Sequence, residues 1–321
     1  MSLPHPSAVR VGLHSGQMHG SFPAMVRLWQ RAESLGYDWI SLFDHLRPHL
    51  YGPSADCFEG TTMLAALAAS TTRIRCAILV SAVTLRHPAL AANIAATIDH
   101  VSGGRLEYGI GAGSADLAYA EYGIPFPPPG QRVDMLEEAC TVLRGLWTQK
   151  ETTFSGEHFQ LDAAHLGPKP LQGTIPLVIG AEGPRMIRVA ARHADIWNTL
   201  AGDVAHYRGL SDRADAACRA IGRPPEELRR SVTFRAVLAS NASEAERRYA
   251  EVLGGAPGEV RSECLVVGSA ADCVAALEPF ARAGVRDFVL AVRPPLDWQT
   301  IEIVAEKVAV ELRDRAEAWN G

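Results

Sequence analysis

Apolar residues along the chain alternate between two arrangements. Short runs rich in Val, Ile, Leu and Phe are each followed by a longer stretch whose apolar positions recur at helical spacing. Residues 9–14 read as a strand and 21–35 as a helix closed by Gly36. The alternation continues with strand 39–43 and helix 61–70, strand 75–81 and helix 88–99, then strand 105–110 and helix 132–147. After an interruption it resumes with strand 177–179, helix 184–193, strand 195–199 and helix 207–221. Strand 231–238, a helical region with a connector over 243–282, strand 287–292 and a last helix over 298–319 complete it.

Eight strands without a polar face, each followed by a helix, predict an α/β chain folded as a single (β/α)8 TIM barrel over residues 1–321. A doubly wound sheet is the alternative, but it needs fewer strands or a second domain. The interruption, ETTFSGEHFQLDAAHLGPKPLQGTIP at 151–176, carries Gly, three Pro and short alternating pieces, and reads as an inserted hairpin and loop. No internal repeat or low-complexity tract is visible.

Composition narrows the partners. With 321 residues, 47% apolar and 21% charged, the chain has ordinary globular content, and a formal charge of −5 offers no broad footprint for nucleic acid or an anionic membrane. The six cysteines include no C-x-x-C pair and mostly sit in apolar runs, which favours free thiols over disulfides. No apolar run approaches the ~18–20 residues of a membrane span, and MSLPHPSAVR lacks a signal-peptide core, so a cytoplasmic location is expected.

A barrel of this kind builds its site where the strands end. Those ends here are His14-Ser15-Gly16-Gln17, Asp44-His45, Val80 to Thr84, Gly111 to Ser114, Gly180 to Gly183, and Trp197-Asn198-Thr199. Gly180-Ala181-Glu182-Gly183 precedes the proline-initiated helix at 184. Glycines that let a ligand approach, beside a helix N-terminus, form a phosphate cradle, with Arg185 as a charged partner. Asp44, His45 and His49 are weighed as a metal site, but no further ligand set recurs at the other strand ends, so no metal is expected. A histidine at a strand end suits proton transfer near neutral pH.

With these positions in hand, the chain resembles the bacterial-luciferase-like flavin and deazaflavin oxidoreductases. The matching pieces include RAESLGYDWISLFDHL (31–46), RHPA (86–89), ATIDHVSGGR (96–105), GIGAG (109–113), TTFSGEHFQL (152–161) and IGAEGPRMIRVAARHADIWN (179–198). The match is close over residues 9–200 and loose beyond, and nearest to the branch that uses the deazaflavin coenzyme F420.

The resemblance implies a cofactor ring at the strand ends, resting on a bulge after strand three with a non-prolyl cis peptide at Leu79–Val80. Ser81, Thr84 and Gly113 are expected near the ring or its ribityl chain, and Gly180, Ala181, Glu182, Gly183 and Arg185 near the phosphate. Asp44-His45 matches a pair that faces the cofactor, with His45 as proton donor or acceptor and Asp44 as its orienter or a ring contact. Glu59 is either a second acid/base or a helix N-terminal charge. Lys169, Arg185 and Arg192 are candidates for the polyglutamate tail of F420.

Three positions depart from the pattern: Ser114 where some relatives carry Glu, Val83 where a polar residue is common, and Tyr119 where His is frequent. The implied activity is hydride transfer between F420 and a small organic substrate. The alternatives are an FMNH2-dependent monooxygenase served by a separate flavin reductase, and a non-catalytic flavin- or deazaflavin-binding protein. A homodimer is expected by the same resemblance, and a flavin or F420 reductase is a possible reducing partner.

Overall fold

The computed structural model describes residues 8–18, 20–48, 56–114, 117–200, 202–253 and 264–316. Strand β1 (Arg10–Ser15) leads through helix α1 (Phe22–Leu35) to β2 (Trp39–Leu42), α2 (Gly60–Ala69), β3 (Arg75–Ala82), α3 (Pro88–Ser102) and β4 (Leu106–Gly111). A short helix α4 (Leu117–Glu121) and the long α5 (Pro129–Thr148) follow. The hairpin β5 (Thr152–Ser155) and β6 (Gln160–Ala164) precedes β7 (Leu177–Gly180), α6 (Pro184–His193), β8 (Ile196–Thr199), α7 (Val204–Ala220) and β9 (Arg229–Leu238). The chain continues through α8 (Ala242–Leu253), β10 (Cys264–Gly268), α9 (Ala270–Arg282) and β11 (Val285–Val292). It then enters α10 (Trp298–Ile303), which runs through a π turn at Val304–Val308 into α11 (Ala309–Arg315).

The strands β1, β2, β3, β4, β7, β8, β9 and β11 pair in parallel in that order, and β11 returns to β1 to close the barrel. The expected (β/α)8 barrel is therefore present, and residues 151–176 hold the expected antiparallel hairpin. One strand was not anticipated. The 243–282 region contains β10, which pairs with the far half of β9 (Phe234 to Leu238) beyond the stretch that β8 occupies. A five-residue apolar run between two helices carries no period that separates strand from helix.

Local chemistry sets the helix ends. Ser21 caps α1 by accepting from the Ala24 N–H at 3.4 Å, and Gly36 closes it in the left-handed region at φ 81°. Ser269 and Asp272 form a reciprocal capping box at the start of α9. The outward strand faces and the inner faces of the helices make one continuous hydrophobic core. Each helix thus returns antiparallel to its strand and begins at the barrel mouth.

The barrel interior is layered, and its lowest layer departs from the apolar strands expected. Arg10, Arg75, Glu107, Arg229 and Asp287 are all buried there. Arg10 donates to Asp287 Oδ1 at 2.9 Å and to Glu107 Oε1 at 2.6 Å, and Arg75 Nε reaches Glu107 Oε1 at 2.6 Å. Arg229 Nε closes the cluster on Asp287 at 2.7 Å. Burial pushes the Asp287 carboxyl up, but Arg10 and Arg229 outweigh it and hold the group at about 2. Above this floor Trp39, Ala77 and Val289 pack together beneath Leu79. A side chain at Gly12 would lie 2.2 Å from Trp39 Cε2, so the glycine makes room for the indole that plugs the barrel. Everything above Trp39 belongs to the mouth.

Candidate active site

Strand β3 loses register with β4 between Ile78 and Ser81, and within that bulge the Leu79–Val80 peptide bond is cis. The bulge is accommodated by glycine on the neighbouring strand. A Cβ at Gly109 would meet the Ile78 carbonyl oxygen at 2.1 Å, and one at Gly111 would meet Val80 Cγ2 at 2.8 Å. Leu79 and Val80 consequently stand in the middle of the mouth, between two cavities of about 370 and 430 Å³. Both cavities are bordered by Phe43, His45, Leu79, Val80 and Gly180. One lobe opens toward β1, β8, β9 and β11, and the other toward the end of β4 and helix α4.

His45 follows β2 and is half-buried, its ring edge-on to Phe43 with centroids 5.3 Å apart. A second imidazole faces the first lobe: His14 on β1, whose Nδ1 lies 2.8 Å from Ser41 Oγ. Sequence alone marks His14 as a strand end and assigns it no role. The signal was the period of two that runs inward from Arg10 through Gly12. The nearby wall is polar, with Asn198 Nδ2 donating to Ser231 Oγ at 2.9 Å and to Thr233 Oγ1 at 3.3 Å.

Asp44, expected as the orienter of His45 or as a ring contact, is held in a buried ion pair at the edge of the second lobe. Its buried carboxylate accepts from Arg86 Nη2 at 3.1 Å and from Ser81 Oγ at 2.7 Å, with a further bond from Arg86 Nη1. The hydroxyl of Ser81 is thereby turned to Asp44. Asp44 borders the second lobe as one half of a buried ion pair. Arg86 also pairs with Glu59. Glu59 is the N-cap of α2, accepting from the N–H groups of Thr61 at 3.1 Å and Thr62 at 2.6 Å. Partial burial pushes its carboxyl up, but the bonds from Thr62 and Thr61 and the Arg86 charge prevail and hold it near 2. Such a group has no proton to give at neutral pH, and it borders neither cavity. Of the two roles left open for Glu59, the geometry fills the helix cap.

Thr84 and Tyr119 share a hydroxyl–hydroxyl hydrogen bond of 2.6 Å at the second lobe, against Gly113, whose φ is +77°. Tyr119 lines that lobe with Gly113 and Ser114. Val83 lies in the hydrophobic core, so its apolar side chain serves packing.

Gly180, Ala181 and Glu182 line the first lobe, and Gly183 caps α6 with no side-chain hydrogen bond. The first-turn N–H groups of α6 are therefore available to an anion, as the cradle requires. Glu182 Oε1 accepts from Thr199 Oγ1 at 3.0 Å and from the Leu200 N–H at 3.1 Å. Arg185, in the first turn of α6, pairs with Asp134 of α5 at 2.5 Å. The other two tail candidates are at the wrong end. Lys169 donates to the Leu146 carbonyl at the C-terminus of α5, 2.7 Å away, and Arg192 occupies the last turn of α6. Both lie at the barrel floor, opposite the mouth.

His49 lies outside the described residues. Among the described residues no group of three or more His, Cys, Asp or Glu side chains has the arrangement to hold a metal ion, and no helix is long and apolar enough to cross a membrane.

The comparisons with known proteins agree with this architecture. A family model described as luciferase-like monooxygenase matches residues 1–263. The F420-dependent glucose-6-phosphate dehydrogenase of Microbacterium testaceum is 33% identical over 172 residues, 53% of this chain and 50% of that protein. The pyrimidine monooxygenase RutA of Acinetobacter baylyi is 29% identical over 253 residues, 74% of this chain and 65% of that protein. The chain spans about half the length of the first curated relatives it matches. A solved F420-dependent secondary alcohol dehydrogenase, in complex with an F420–acetone adduct, shares the fold with a TM-score of 0.80 at 23% identity, over 94% of this chain and 99% of that one.

Proposed function

Because the chain belongs to the luciferase-like monooxygenase family, we propose that it is an F420-dependent oxidoreductase that transfers a hydride between the deazaflavin and a small organic substrate. The observation that carries this reading is the position of His45, an imidazole bordering both lobes beside Leu79 and Val80. Hydride exchange at an alcohol or carbonyl carbon releases or consumes a proton at the oxygen, and a strand-end imidazole can carry it near neutral pH. Similarity to the Microbacterium testaceum dehydrogenase supports the same cofactor.

The residues fit a flat tricyclic ring with a phosphate-bearing tail. Each lobe lies within the ~300–1,000 Å³ typical of ligand sites. A side chain at Gly111 would crowd Val80, so the glycine leaves the bulge open to a ring edge. Leu79, Val80 and Gly180 would support the ring, Gly113 would border its edge, and Gly180 to Gly183 with the α6 N-terminus would hold the phosphate. Bound there, the deazaflavin supplies the hydride acceptor or donor. The apolar walls from Phe43, Leu79 and Val80 exclude water from the reacting centre. His45 takes the proton from a substrate hydroxyl in oxidation and returns it in reduction. The Asp44–Arg86 pair fixes the strand end from which His45 projects.

Similarity to the pyrimidine monooxygenase supports a second reading, an FMNH2-dependent monooxygenase supplied by a separate reductase. Incubation with oxidised F420 and a panel of primary and secondary alcohols, followed by loss of deazaflavin absorbance, separates the two. The first reading predicts anaerobic turnover, reduced about 10²–10⁴-fold by His45→Ala with F420 affinity little changed. Turnover only with reduced FMN and oxygen, or a His45→Ala variant at wild-type rate, contradicts it.

A further inference from the structure

The arginines around the mouth are almost all committed. Arg47 pairs with Glu121, Arg86 with Asp44 and Glu59, and Arg185 with Asp134. Arg132 donates to the carbonyls of Ala112 at 2.9 Å and Pro127 at 2.6 Å and lies over the Phe126 ring. Arg293 differs. It is the residue after β11, it is half-buried, and it lines the 370 Å³ lobe. Among the described residues no hydrogen bond or ion pair engages it. The carboxylate of Glu182 borders the same lobe but is turned to Thr199 and Leu200, and no ion pair joins it to Arg293.

A guanidinium drawn partly out of water without a counter-charge among the described residues has lost solvation that none of those residues restores. Its planar fork is matched to carboxylate and phosphate groups. The surroundings define what else the ligand carries. Met18, Phe43, Val292 and Pro294 give the lobe an apolar wall, and His14 stands on the adjacent strand, paired with Ala291 two residues before Arg293. The phosphate cradle and glycine-lined second lobe belong to β7 and β4. In the closed barrel β11 is three strands from β7 and directly across from β4.

We infer that Arg293 anchors the anionic end of the organic substrate, which is therefore a carboxylate or phosphate ester with an apolar body lying against Phe43 and Val292. The inference rests on the reading above, in which the cofactor's phosphate lies at the α6 N-terminus, and it adds that the substrate occupies the β11 side of the first lobe. An anionic group could also come from the tail of F420 itself, and the test separates the two sources.

Benzoate, phenyl phosphate and neutral benzamide are titrated into the full chain, alone and loaded with F420, by tryptophan fluorescence and calorimetry. The same measurements are made on Arg293→Gln and Arg293→Lys. At least one of the two anions is expected to bind about 10–100-fold more tightly than benzamide. Arg293→Gln removes that preference while benzamide and F420 affinities hold, and Arg293→Lys restores part of it. Equal binding of the anions and benzamide in the wild-type chain overturns the inference. So does an Arg293→Gln variant that keeps the anion preference, or one that loses F420 affinity and leaves the anion preference intact. Failure of F420 to bind in the parallel titration contradicts the cofactor assignment instead, because the anion preference is read on the cofactor-free chain as well.

Discussion

Neighbouring residues Asp44 and His45 divide the work of the β2 end between structure and chemistry. Asp44 is locked against Arg86 and Ser81, whereas the ring of His45 reaches both lobes. Adjacency in sequence suggested a pair acting together, and only the position of Arg86 reveals the division. Charge type alone also misplaced Lys169 and Arg192, because a sequence does not mark a residue's end of the barrel until helix direction is applied. Titration of single residues gives a direct check. Burial, reinforced by Arg192 and Arg144, lowers the His193 imidazole from the ordinary 6.5 to about 4. Between those values the unfolded chain takes up a proton that the folded chain refuses, so stability falls as the pH drops from about 6.5 to 4. Glu33 contributes in the next window. Partial burial raises its carboxyl, but the N–H groups of Arg73, Ile74 and Thr72 prevail and lower it from 4.5 to about 2. Its stabilisation is full above about 4.5 and is lost as the pH falls toward 2. Urea midpoints measured from pH 8 to 3 should decline in both windows, with His193→Gln flattening the upper one and Glu33→Gln the lower. A wild-type midpoint that stays level from pH 6.5 to 4 contradicts the first assignment.

At the level of elements, the site depends on two strands that fit each other. The β3 bulge brings Leu79 and Val80 into the mouth, and β4 admits it through Gly109 and Gly111. At Gly109 the obstruction is the Ile78 carbonyl, backbone that cannot swing aside. Gly109→Ala is therefore expected to destabilise the chain by roughly 1–3 kcal/mol, measured by urea denaturation, and to weaken ligand binding at the bulge. A variant with wild-type stability and binding would show that the bulge yields freely. Elements with long apolar periods were legible in the sequence, and so was the GIGAG motif. The period of two inside the strands was legible too, but it had to be read for direction. Along β1 the inward residues are Arg10, Gly12 and His14, a floor charge, a gap for Trp39 and a cavity wall. Along β11 they are Asp287, Val289 and Ala291. Strand β10 stayed hidden because nothing in a short apolar run shows its pairing with β9.

Across the whole molecule, the barrel is sealed at one end and open at the other. The floor assembles Arg10, Arg75 and Arg229 around Glu107 and Asp287 from five strands. Such complementarity is invisible until the strands close. Asp287→Asn leaves Arg10 and Arg229 short of their shared partner and should cost about 3–5 kcal/mol in denaturation experiments. A loss under ~1 kcal/mol would mean that the cluster is incidental to closure. The fold was thus accessible from the chain, and with it the end of the barrel at which the strand-end residues gather. The most direct measurement is a parallel tryptophan-fluorescence titration of the cofactor-free protein with F420 and with FMN, since Trp39 lies beneath Leu79 and Trp197 donates to the carbonyl of Ala181 at 2.7 Å. Micromolar or tighter binding of F420 with much weaker binding of FMN is the predicted result. Tight binding of FMN with little response to F420 would contradict hydride transfer through the deazaflavin and assign the cavity to a flavin-dependent monooxygenase.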